Sequence, residues 1–150
     1  MIKAKYMHTN IVARNWRELA DFYCQVLGCT EVPPKRAAIG EWVERCTSVP
    51  GAEVHGIHLR LPGYGDAGPT LEIFQYNNAE SRPKTAINRP GLAHLAFEVE
   101  DVEAARDEVT AAGGTCVGEM VTVDIHDAGI ITLIYMTDPE GNIIELQKWE

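Results

Sequence analysis

The chain has 150 residues, 45% hydrophobic and 23% charged, with a formal net charge of −9. This is the composition of an ordinary folded domain, long enough to bury roughly 70% of its unfolded surface. The negative balance speaks against nucleic acid and anionic membranes, since both select basic surfaces. No apolar run approaches the ~20 residues of a membrane span, and MIKAKYMHTN has no apolar signal core, so a cytoplasmic protein is expected. Cys24, Cys29, Cys46 and Cys116 form neither CxxC pairs nor zinc-ribbon spacing and read as reduced thiols.

Taken in chain order, His8 opens a strand-like run, HTNIV. Asn15 follows as a helix N-cap, and Trp16, Leu19, Phe22, Tyr23 and Val26 then keep helical spacing up to Gly28, which suits a C′ position. A short strand is expected near Thr30–Val32. KRAAIGEWVERCTSVPGAE reads as an insertion whose GEWVERC forms a short helix over a cavity. VHGIHLRL from Val54 and GPTLEIF from Gly68 to Phe74 read as further strands. NNAESRPKTAINRPG, polar and with two prolines, reads as a linker.

The remainder repeats the first half. His94 heads HLAFEVED, Asp101 takes the N-cap position, and Val102, Ala105, Val109 and Ala112 fall at helical spacing before Gly114. Strands near Thr115–Val117, in GIITLIYM from Gly129 and in GNIIELQ from Gly141 complete the copy, with VDIHDAG around His126 read as a loop. The prediction is an α+β fold of tandem βαβββ modules, about 1–78 and 89–150, joined by a linker at about 79–88. Three successive strands with short gaps make each sheet mostly antiparallel, with its helix on one face.

Alternation along a strand assigns the faces. Leu95, Phe97 and Val99 point toward the helix, while His94 shares the other face with Ala96, as His8 does with Asn10. Leu71 and Ile73 point inward, leaving Glu72 beside Phe74, and Glu145 likewise stands opposite Ile144 and Leu146. Each module thus offers one His from its first strand and one Glu from its last on the non-helical face. A single strand His or Glu is usually a satisfied or solvated side chain. Four at matching points of a repeat are a metal-ligand set, because a divalent ion removes the repulsion between two carboxylates.

FYCQVLGC, RPGLAHLAFEVED and DPEGNIIEL together resemble the vicinal oxygen chelate superfamily, which includes glyoxalase I, methylmalonyl-CoA epimerase, extradiol dioxygenases and fosfomycin-resistance enzymes. The resemblance covers nearly the whole chain. It implies paired βαβββ modules whose curved sheets surround a metal cavity, with His8, Glu72, His94 and Glu145 as ligands. It also implies two open positions on a six-coordinate ion, where a small substrate with adjacent oxygens binds as a chelate. The ion then stabilises an enediolate formed when an α-proton leaves. Glu145, and second Glu72, are expected to carry that proton. Ni, Co, Zn, Mn and Fe(II) all suit the donor set.

The His-Glu-His-Glu set resembles glyoxalase I most closely, giving a metal-dependent lyase or isomerase as the leading expectation. A thiol cofactor such as glutathione stays open but unsupported: Arg89 lies one residue further from His94 than in glyoxalase I, and Tyr76 displaces Asn77 and Asn78. An epimerase-like isomerase, an Fe(II) extradiol dioxygenase and a non-catalytic binding or resistance protein also stay open. Asn10, Trp42, Phe74, Tyr76 and Arg89 are the expected substrate contacts, and His55 and His58 lie on opposite faces of their strand, so at most one meets the cavity. Glu41 and Glu44 read as solvated helix residues. A homodimer is expected, with the site built within one chain or shared between two.

Overall fold

A computed structural model describes residues 1–150 and divides into two compact units, Met1–Ser81 and Arg82–Glu150. The first contains β1 (His8–Val12), α1 (Trp16–Leu27), β2 (Thr30–Ala38), α2 (Glu41–Thr47), β3 (Val54–Arg60) and β4 (Thr70–Tyr76). Its four strands lie in the order β1-β4-β3-β2. The second contains β5 (Leu95–Glu98), α3 (Val102–Ala111), β6 (Thr115–Cys116), β7 (Val121–Ile125), β8 (Gly129–Thr137) and β9 (Ile143–Trp149). Its order is β5-β9-β8-β6, with β7 also on β8. In each unit the first and last strands pair in parallel and the other pairings are antiparallel, giving two mixed sheets.

The helices begin where side chains can replace missing backbone partners. Asn15 Oδ1 accepts from the amides of Arg17 and Glu18, and Asp101 Oδ1 accepts from Ala104 at 3.0 Å. From α1, Trp16, Leu19, Ala20, Phe22 and Tyr23 are buried, with Ile57, Leu59, Leu71 and Ile73 among the fully buried strand residues. From α3, Val102 and Val109 are buried, and Ile134, Met136, Ile144 and Leu146 supply the apolar face of its sheet. Each Val, Leu, Ile, Phe or Met among them contributes about 1.5–3 kcal/mol by leaving water. The helix-facing half of both sheets is therefore fixed by strand alternation alone.

Val26 keeps its helical place in α1, partly buried, and Ala112 is the exposed cap residue after α3, while two expectations need correction. The left-handed residue after α3 is Gly113, with φ 93°, whereas α1 ends at Gly28 with φ 68°. Gly114 serves a different need: a Cβ there would collide with the carbonyl of Thr137 and the side chain of Val109. The segment before His126 is also not all loop, since Val121–Ile125 forms β7 and pairs with β8 up to Gly129. Its turn residues are confined to the hairpin tip, where Asp127 has φ 65°.

The short strands expected after each helix are the first halves of longer, interrupted ones. Pairing of β2 with β3 lapses between Val32 and Arg36, around two prolines that have no N–H to offer. In the second unit the equivalent edge of β8 is taken first by β6 and then by β7. Replacing Gly114 by Ala is expected to destabilise the protein by about 1–3 kcal/mol through overpacking. Thermal unfolding should show this as a midpoint lowered by several degrees, whereas an unchanged midpoint would contradict the close approach.

Candidate metal centre

In the first unit the strand order makes β4 a neighbour of both β1 and β3. Parallel register sets Asn10 beside Glu72, and antiparallel register sets His58 beside it on the other side. The side chains meet accordingly. Glu72 Oε2 accepts from Asn10 Nδ2 at 2.8 Å, Glu72 Oε1 lies 2.7 Å from His58 Nε2, and His8 Nε2 stands 3.6 Å from Oε2. One ligand atom from each of His8, His58 and Glu72 falls within 4.8 Å of the others. Glu72 is 9% exposed. A carboxylate so enclosed needs donors or a cation, and Asn10 and His58 supply donors to its two oxygens.

His58 continues outward to Thr70, whose Oγ1 lies 3.1 Å from Nδ1. Burial holds the His58 pKa below the ordinary imidazole value; the nearby Glu72 charge opposes this, while Arg36 and His8 reinforce it. The strand spacing left His55 or His58 open for this face, and the structure selects His58. Register decides between them: His58 stands directly opposite Glu72 on β3, a pairing that strand alternation alone does not reveal. His55 is exposed.

The second unit has the same frame with different occupants. His94 Nε2 lies 2.9 Å from Glu145 Oε2, and Glu145 is 8% exposed. His94 Nδ1 is buried without a hydrogen-bond partner. That is a costly condition, about 1–3 kcal/mol for a typical buried polar group. Tyr135, directly across from Glu145 in the antiparallel pair, takes the place that His58 holds in the first unit. Its ring lies 5.1 Å from that of His94. Its phenol pKa is raised by burial first, then by the Glu145 charge and a hydrogen bond to Glu145. Ala96 stands where the first unit has Asn10.

Glu145 owes its position to the turn that launches β9. Asp138 is 1% exposed, and its carboxylate accepts from the amides of Glu140 and Asn142 and from Asn142 Nδ2 at 2.6 Å. In this way the DPEGN segment is closed by its own first and last residues.

The remaining expected site residues are scattered. Phe74 stacks edge-on against His58, with ring centroids 6.2 Å apart, and so borders the first-unit cluster. Phe74 and Tyr76 pack against a small apolar cluster of Val43, Ala52 and Val54, so α2 covers the Phe74 end of this face through Val43. Trp42 turns away from that cluster, 59% exposed, and its indole N–H donates to the carbonyl of Ile39. Asn10 is engaged with Glu72. Arg89 donates to the carbonyl of Lys84 and lines a cavity of about 140 Å³ with Arg82 and Thr85. None of His94, Tyr135 or Glu145 lines that cavity. The exposed His126 pairs with its neighbour Asp127.

A sheet that buries a helix on one face and sets an imidazole against a buried carboxylate on the other, built twice, is a glyoxalase-type fold. The profile of the Glyoxalase/Bleomycin resistance protein/Dioxygenase superfamily matches residues 5–146, and the chain belongs to this superfamily. It is 28% identical over 145 residues to the protein YaeR of Escherichia coli K12, covering 94% of this chain and 93% of that one. A probable lactoylglutathione lyase of Vibrio parahaemolyticus is 32% identical over 91 residues, 59% of this chain and 60% of the relative. Among solved structures, a glyoxalase family protein from Bacillus cereus superposes with a TM-score of 0.75 at 19% identity, covering 99% of this chain and 95% of that chain. The fosfomycin resistance protein FosX from Listeria monocytogenes, solved with Mn(II) and sulfate, gives 0.59 at 14% identity, with coverage of 100% and 95%. No helix is long and apolar enough to cross a membrane.

Because the folded state favours the neutral phenol, Tyr135 should ionise above pH 10, and the stability it lends should fade as pH rises through its folded pKa. The difference between wild type and Tyr135→Phe in an absorbance titration at tyrosinate wavelengths isolates this group. With the metal-free proteins, a difference curve centred at or below pH 10 would contradict the burial of this phenol beside Glu145.

Proposed function

We propose that the protein is a divalent-metal-dependent lyase or isomerase of glyoxalase type, acting on a small molecule with adjacent oxygens. The observation that carries this is the repeated pair: in each unit an imidazole nitrogen lies within 2.9–3.6 Å of a buried carboxylate oxygen at equivalent strand positions. His8, Glu72, His94 and Glu145 are the proposed ligands, two nitrogen and two oxygen donors that suit Ni, Co, Zn, Mn or Fe(II). The enclosed carboxylates, each with an imidazole Nε2 beside it, fit a cation better than they fit an empty pocket. FosX, which shares the fold, was solved with Mn(II). When bound, the ion supplies Lewis-acid stabilisation for charge developing on substrate oxygen.

The chain's own residues then divide the work. Glu145 is the proposed carrier of the α-proton, and Glu72 its alternative. Each carboxylate has two close protein partners, Asn10 and His58 for Glu72 and His94 and Tyr135 for Glu145. Phe74 borders the first-unit cluster as an apolar wall. The partial likeness to a probable lactoylglutathione lyase supports a lyase reading, and a homodimer is the proposed assembly.

Purified wild type should carry or take up one divalent ion per chain. It should also catalyse proton–deuterium exchange on at least one of a panel of α-hydroxyketones, hemithioacetals and acyl-CoA thioesters. Glu145→Gln should keep the ion and lose about 10²–10⁴-fold in exchange rate, as expected for a missing general base. Wild type that neither carries nor binds a divalent ion would overturn the proposal, and full exchange by metal-loaded Glu145→Gln would remove Glu145 from its role.

A further inference from the structure

We infer that His58 is a third protein donor to the ion from the first unit, so that His8, His58 and Glu72 form a two-histidine, one-carboxylate set on a single sheet. This rests on the metal reading above and adds a residue that the repeat does not supply. The repeat contributes one His and one Glu per module, and at the position of His58 the second module has Tyr135. A neutral imidazole is a far better ligand for a late divalent ion than a protonated phenol.

Geometry favours ligation over a purely structural bond. The three donor atoms lie within 4.8 Å of one another, close enough for one ion to touch all three after small side-chain rotations. The two imidazoles meet edge to face, with centroids 5.5 Å apart and planes at 90°, rather than stacked against each other. The Thr70 hydroxyl beside His58 Nδ1 can donate or accept. It can therefore donate to Nδ1 while Nε2–H rests on Glu72, and accept from Nδ1–H once Nε2 presents its lone pair to a cation. Ligating histidines are commonly oriented in this way by a partner on the far nitrogen. Asn10 meanwhile keeps Glu72 Oε2 in place, so the carboxylate retains an anchor when Nε2 leaves Oε1.

The consequence is an unequal pair of modules. The first should retain an ion on its own three donors, while the second adds the pair that completes the set. Co(II) serves as the probe, with affinity from chelator competition and the number of coordinated imidazoles from X-ray absorption. Wild type should show three imidazoles, from His8, His58 and His94. His58→Gln, which still offers a donor to Glu72, should show two and bind Co(II) more than about 100-fold more weakly, beyond the range of a lost orienting contact. His94→Ala should still bind one ion per chain. Two imidazoles in wild type that stay two in His58→Gln, or a His58→Gln protein with wild-type affinity, would overturn this inference while leaving the four-ligand reading intact. Failure of wild type to bind Co(II) would remove both. His94→Ala should show two imidazoles, from His8 and His58, and a single one would overturn the inference, so the test survives a His58→Gln protein that does not fold.

Discussion

A carboxylate buried on a sheet must be met by donors or by a cation, and each unit of this protein carries one on the sheet face opposite its helix. Leaving such a group without partners costs more than the folded state can spare. Glu72 answers the requirement sideways, through strands on both of its flanks: Asn10 from the parallel neighbour and His58 from the antiparallel one. Glu145 does so with His94 and Tyr135. Because neighbouring strands run only about 4.7–4.9 Å apart, register alone decides which side chains reach each carboxylate.

The two-residue period of the strand separates stability from chemistry within each unit. Leu71 and Ile73 enter the core beneath α1, and Glu72 between them faces away; Ile144 and Leu146 do the same around Glu145. A change of carboxylate chemistry can then occur without disturbing the residues that hold the fold. In the first unit the far face is partly closed by α2, which lowers Val43 onto Val54, Phe74 and Tyr76. Phe74 then links that apolar cap to the imidazole of His58. The second unit instead spends its ordered turn, Asp138–Asn142, on fixing where β9 begins.

The modules share a backbone plan but not a donor set. Asn10 and His58 in one correspond to Ala96 and Tyr135 in the other. Superfamily membership accounts for the plan, since one fold of this kind hosts lyases, dioxygenases and binding proteins. What sets the two modules apart is the side chains that differ between the copies. His58 belongs to that category: it arises from this chain's own sequence at a position where its repeat has a phenol.

The sequence by itself determined the repeat, the helices with their Asn15 and Asp101 caps, the core faces, and the pairing of one His with one Glu in each half. All of these follow from local periodicity and short-range hydrogen bonding, which a linear string records directly. It also narrowed the strand histidines to one of His55 and His58, since alternation allows only one of them on the site face. What it did not record was which strands lie side by side and in what register. The placing of His58 and Tyr135 against the glutamates, the engagement of Asn10 with Glu72, the solvent exposure of Trp42 and the role of Gly114 as a point of close approach were decided only in the folded chain. Each depends on a neighbour distant in sequence, and strand pairing brings such neighbours within hydrogen-bond reach only once the sheet has formed.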